Sequence, residues 1–229
     1  MLNQLKKFTL GLLTPSLLTV LVTLTARADD QGYRFRNGYC QNENNKKGFN
    51  PAFLGECGFI EGMSFQDQTL RIKSSFKGAR MRRADLRKLN AENATFLGAD
   101  LTEANLDGAQ IRDCDFSMAY MNAVHLGFHA NLDSCNLTGV TSEFADFSSA
   151  NLRRAIMSGT RLKGSNFRDA IFDFTDLTFA DLRDADLRGA DLRFTDLFAT
   201  QLSGTIYNRF TRLPFDAREA QQRGMIFAP

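Results

Sequence analysis

Tryptophan is absent, histidine occurs only twice and proline four times in 229 residues. No Gly-rich phosphate loop, nucleophile elbow, metal-ligand helix or Cys-His-Asn arrangement occurs, so the usual signatures of phosphoryl, acyl and metal-assisted transfer are missing. Beyond the first 24 residues no long apolar run exists, which excludes a multi-span helical membrane protein. Strong net charge is missing too. The formal value is +2, and without residues 1–28 the count is 25 basic against 26 acidic, or -1. No global field draws the chain to nucleic acid or an anionic surface. Hydrophobic residues make up 43%, so the chain is not wholly disordered.

The amino-terminal segment has the layout of a targeting signal. Lys6 and Lys7 form a short basic start, Phe8 to Leu24 is apolar, and Ala26-Arg27-Ala28 is a small-x-small site. This is the three-part pattern of a secretory signal peptide. Pro15 and several Thr and Ser residues weaken it as a spanning helix. Cleavage after Ala28 and a periplasmic or secreted mature protein are expected. Disulfides persist in such compartments.

The rest of the chain repeats every five residues. The run from Ala180 to Arg193 cycles through a small residue, Asp, Leu and two polar positions. With Leu187 as a unit centre, steps of five reach Tyr207 in one direction and Leu132 in the other. The register slips by one residue, resumes at Leu126 and continues back to Phe76, giving 27 units. A small residue such as Ala79, Ala84 or Ala94 stands two positions before most centres. Period five fits neither a 3.6-residue helix nor strand alternation. It fits a coil that turns a corner every five residues, with centre and small residue both inward. Four corners close a coil of twenty, and stacked coils pair as parallel strands about 4.8 Å apart.

This pattern, over about 130 residues from Phe76 to Tyr207, resembles the pentapeptide-repeat family. The resemblance implies an all-β fold, a right-handed quadrilateral parallel β-helix with small caps. It implies no function. One activity known in the family is mimicry of DNA by an acidic rod that occupies DNA gyrase, the quinolone-resistance type. The repeat region carries 15 basic and 18 acidic residues, a net of -3, where mimicry wants a strongly negative surface. An exported chain would also not meet gyrase. No nucleic-acid partner is expected.

Every fourth centre falls on one face. On the face of Ala91, Ile111, Leu132, Leu152, Phe172 and Leu192, the residues after the centres are Glu92, Arg112, Asp133, Arg153, Asp173 and Arg193. Acid and base alternate up this column across the slip. A structural charge ladder is expected, at about 0.2–1 kcal/mol per exposed pair, with no catalytic role. Cys114, His125, His129 and Cys135 have a superficially zinc-like spacing. The register puts the cysteines inside adjacent coils and His125 outside, so four ligands do not converge. Cys114 and Cys135 are then either stacked small core residues, the preferred reading, or a disulfide. No cofactor is expected.

Four segments follow: signal peptide 1–28, amino-terminal cap 29–70, repeats 71–207 and carboxy-terminal tail 208–229. In the turn-rich cap, Cys40 and Cys57 are expected to pair, closing a loop worth about 3 kcal/mol. In the tail, Asp216 is placed to cap a short helix from Ala217, with Gly224 as its stop.

Two surface features suggest binding. Between Arg71 and Lys88 lie eight basic residues against Asp85 alone, so Arg80, Arg82 and Arg83 are candidates for an anionic cell-envelope surface. Ile171, Phe174, Phe179, Phe194 and Phe198 take outward positions and could form an apolar strip. Either the strip docks a protein partner or second copy, or the tail from Phe210 to Phe227 folds over it. The functional expectation is an exported, non-enzymatic scaffold that binds through a solenoid face.

Overall fold

The computed structural model of the chain describes residues 64–67, 69 and 74–229, and the backbone of two strands, β1 (Tyr33–Arg36) and β2 (Tyr39–Asn42). These two pair antiparallel, Tyr33 opposite Asn42. The expected signal peptide lies outside the described residues. So does Cys57, and with it the Cys40–Cys57 pair.

From Ser64 onward the chain is a right-handed quadrilateral β-helix. Each side contributes one parallel bridge to the coil below and one to the coil above. Four ladders result. Face I runs Asn90, Gln110, Asn131, Asn151, Ile171, Asp191; face II runs Thr95, Asp115, Asn136, Ile156, Asp176, Asp196. Face III carries Arg80 to Gln201, and face IV carries Asp85 to Ile206. These residues immediately precede the centres. Ser64 and Thr69 already pair with Asp85 and Asn90, so the coils begin inside the segment assigned to the cap. Thr69 and Ser75 lie six residues apart yet pair with Asn90 and Thr95, five apart. A second one-residue slip therefore precedes Phe76.

The centres fill the core. Phe76, Phe96 and Phe116 stack at 4.9 and 4.6 Å, nearly parallel, and Phe147 stacks on Phe167 at 4.8 Å. Those distances equal one coil rise, so a column of like rings packs itself. The small inward residues let the coil turn without a void. Several of them are Ser or Thr whose buried hydroxyl donates to a carbonyl of the coil below, as Thr175 to Leu152 O at 2.7 Å, Thr195 to Phe172 O at 2.9 Å and Thr200 to Leu177 O at 2.8 Å, while Thr160 donates to Met157 O of its own coil at 2.7 Å. These hydroxyls are satisfied, as burial demands.

Corners form because the second residue after nearly every centre is left-handed. Glycine adopts this readily, but Phe128, Phe144, Phe174 and Phe179 hold φ of 49 to 60° there. A bulky residue in this region costs about 1–2 kcal/mol. The slip between Leu126 and Leu132 is one such corner enlarged: Phe128 and His129 are both left-handed, at φ 49 and 60°. Gly127 is buried there, and a β-carbon on it would meet Ser148 Oγ at 3.2 Å and Asp107 Oδ1 at 3.3 Å.

The tail covers the last coil. β3 (Ile206–Tyr207) pairs in parallel with β4 (Ile226–Phe227). Between them α1 (Ala217–Gln222) is capped by Asp216, whose carboxylate accepts from Glu219 N at 2.8 Å. Ala220 and Met225 are buried against the core. Gly224, at φ 77°, ends the turn.

Candidate interaction face

The expected strip divides. Phe174 and Phe194 stack at 5.4 Å with an interplanar angle of 11°, on the corner between faces I and II. Phe179 and Phe198 meet edge-on at 5.7 Å on the next corner, between faces II and III. The two pairs therefore frame face II, whose residues between them are Asp176 and Asp196. Ile171 is half-buried on face I and does not belong to this frame. Ile156, one coil below Asp176, does; it is 46% exposed. The tail does not cover the rings. Phe174 is 69% exposed, Phe179 63%, Phe194 57% and Phe198 67%. Its buried residues lie over the end of the helix instead, because Arg212, Ile226 and α1 continue the coil rather than turn back along its side.

The trailing edge of face II differs from the other three edges in charge. From Leu97-Gly98 to Phe198-Ala199, the six turns on its trailing edge carry no charged residue. Its ladder from Thr95 to Asp196 holds no basic residue. Charges recur along the other edges, at Glu103, Lys163 and Arg183 after face III and at Asp107, Arg168 and Arg188 after face IV. The trailing edge of face II is also low in profile. Gly98 and Gly159 have no atom within 4 Å of where a β-carbon would stand.

A family model described as Pentapeptide repeats matches in eight copies, over residues 73–117, 129–169, 145–184 and 175–206. The chain belongs to the pentapeptide-repeat family. No curated protein matches it. Among solved structures it is similar to HetL of the cyanobacterium Nostoc sp. Strain PCC 7120, a pentapeptide-repeat protein involved in heterocyst differentiation regulation. The identity is 24%, covering 72% of this chain and 78% of that one, with a TM-score of 0.32. It is also similar to QnrB1, a plasmid-mediated fluoroquinolone resistance protein, at 17% identity, 72% and 89% coverage and a TM-score of 0.38. A third is a pentapeptide-repeat protein of the Arabidopsis thaliana thylakoid lumen, at 21% identity, 63% and 75% coverage and a TM-score of 0.20.

Within this pentapeptide-repeat solenoid, charges pair both between adjacent coils and inside single units. Asp181, Asp186 and Asp191 each hold the arginine two residues on, at 2.7, 2.6 and 2.8 Å. Strand alternation puts residues two apart on one side, so Asp-Leu-Arg is a built-in clamp. The expected ladder on face I forms only in part. Glu92 and Arg112 approach at 3.9 Å, and Arg153 bonds Asp173 at 3.1 Å. Asp133 is instead held by Arg154, and Arg193 turns to its own Asp191. The ladder therefore forms as two separate pairs across adjacent coils and not as a continuous column. The clamps hold Asp181, Asp191 and Asp85 below the usual carboxylate range, chiefly through the arginine hydrogen bond.

The basic first coils are partly neutralised by pairs to the next coil. Arg83 bonds Glu103 at 2.6 Å, and Arg82 lies 3.9 Å from Asp100. Arg80 stands on face III. Cys114 and Cys135 form a disulfide across adjacent coils, their Cα atoms 4.5 Å apart. The preferred reading as unbonded core is thus corrected, and no thiolate remains there for a metal. His125 stands outward on face IV, and His129 lies in the enlarged turn. Among the described residues no His, Cys, Asp and Glu cluster could hold a metal ion.

Proposed function

We propose that this pentapeptide-repeat protein is an exported, non-enzymatic scaffold that docks a protein partner on face II. The observation that carries the reading is the uncharged edge of that face with its exposed rings. Surface rings that are isolated carry no meaning, but several in register beside a charge-free edge suit an interface. Two of them, Phe174 and Phe179, sit in a backbone conformation that disfavours them. Strain of this kind gathers at binding sites. Export is supported by the basic, apolar and small-residue sequence of residues 1–28 and by the Cys114–Cys135 disulfide, which suits an oxidising compartment. Gyrase mimicry has less support, because Asp181, Asp186 and Asp191 are each matched by an arginine.

Fractionation tests the first half. The mature chain in periplasm or medium fits; full-length chain in the cytoplasm refutes export. The second half is tested by Phe174→Ser with Phe179→Ser. Solution mass and the proteins retained from an envelope extract are compared with the parent, and circular dichroism verifies the fold. Unchanged mass and unchanged retention refute docking on face II.

A further inference from the structure

We infer that face II receives a segment of a protein partner that is both cationic and apolar, lying along the solenoid axis. The inference rests on the docking reading above and names the chemistry of the occupant.

Five aspartates precede the centres between Asp176 and Asp196. Asp181, Asp186 and Asp191 are each followed two residues later by a clamping arginine. Asp176 and Asp196 are followed by Thr178 and Phe198, which donate only a backbone N–H to Oδ1, at 2.9 Å in both. Among the described residues no basic side chain meets either carboxylate. They are adjacent rungs of one ladder, about 4.8 Å apart. Two like charges at that spacing repel, and an incoming cation relieves both.

The rings beside them narrow the chemistry. Face II offers aromatic walls on both sides of the carboxylate pair, a surface suited to cations and to aliphatic side chains. The wall already accepts a guanidinium: Arg193 lies 5.8 Å from the centre of the Phe194 ring. A free inorganic cation would leave the rings uncovered. A peptide segment bearing arginine or lysine next to apolar residues covers both. The uncharged edge rises through six turns from Leu97 to Phe198. That is about 24 Å, the length of roughly seven residues of extended chain. A second copy is the weaker occupant, since the Arg82 and Arg83 it would present are engaged with Asp100 and Glu103 of their own chain.

The probe is a fluorescein-labelled peptide alternating arginine and leucine for about seven residues, read by anisotropy at low and physiological salt. The comparison peptide replaces each arginine by glutamate. The main variant is Asp176→Asn with Asp196→Asn. It keeps the fold, because Asn136 and Asn151 accept the same backbone bond at 3.0 and 3.2 Å in equivalent units. The control is Asp181→Asn with Arg183→Gln on face III. Saturable binding to the parent that weakens about tenfold or more in the face II variant, stays within about twofold in the control and is absent for the glutamate peptide is the expected result. No saturable binding, or binding indifferent to the face II variant, overturns the inference. If the peptide fails while retention of a protein from extract still depends on Phe174 and Phe179, the cationic occupant falls and docking on face II stands. If retention is also indifferent, both fall. A parent dimer that Phe174→Ser dissociates makes the occupant a second copy and overturns the inference as stated.

Discussion

Phe172 and Phe174 are two residues apart, and their replacement should have very different effects. Phe172 is a centre on face I with no exposed surface, while Phe174 is 69% exposed at a left-handed corner. Phe172→Ala removes a full ring from a close-packed column, which costs about 3–5 kcal/mol. For a chain of this size each kcal/mol moves the melting temperature by about 2–4 °C, so a drop of about 6–20 °C is expected. Phe174→Gly loses its contact with Phe194, worth about 0.5–1.5 kcal/mol. It also adds about 0.5–1 kcal/mol of chain entropy to be lost on folding. Against these it releases about 1–2 kcal/mol of left-handed strain. The net lies within about 1 kcal/mol of zero, or about 4 °C either way. The assay is thermal melting followed by circular dichroism on the two purified variants and the parent. Equal, large losses for both would mean that the Phe174 ring is covered in the folded protein. The open face II, and the docking built on it, would then be wrong.

The Cys114–Cys135 bond links residues 21 apart. Cys114→Ala with Cys135→Ala should keep the fold and cost about 3 kcal/mol in the chain-entropy model, and dithiothreitol should lower the parent's melting temperature but not the variant's. Asp85, Asp181 and Asp191 have folded pKa values lowered from 3.8 by their arginines. Their contribution is therefore complete above about pH 4 and is lost as pH falls from there through the lower folded values. Melting temperature should drop below about pH 4, and Arg183→Gln with Arg193→Gln should make that drop shallower. An unchanged acid slope in this variant counts against the clamps.

The period of five was readable because each unit repeats the same physical demand, a large inward centre and a small inward partner. Every centre from Phe76 to Tyr207 is buried, across the slip at Leu126. The location of that slip follows from the register; its form, two successive left-handed residues at Phe128 and His129, does not. The earlier coil at Ser64 and Thr69 was hidden because the second slip breaks the count before Phe76. The Asp-Leu-Arg clamp was overlooked for a different reason. Attention to columns across coils favours partners twenty residues apart, whereas an arginine two residues on reaches its aspartate with less chain to order.

The candidate face was only half legible, and the register explains why. A local motif search looks for functional residues within a few positions of one another. On a square coil neighbours in space include residues five and about twenty apart as well as those one or two apart. Phe174 and Phe194 were found at twenty, and they stack. The position of Phe179 and Phe198 relative to them required knowing that a corner belongs equally to the face before it and the face after it. Seen that way, the two pairs do not continue one strip but flank the same pair of carboxylates. The missing arginines at positions 178 and 198 then acquire meaning. Where the three intervening units of the same coil place arginine after Asp-Leu, at Arg183, Arg188 and Arg193, Thr178 and Phe198 leave Asp176 and Asp196 unmatched on the one face whose trailing edge is uncharged.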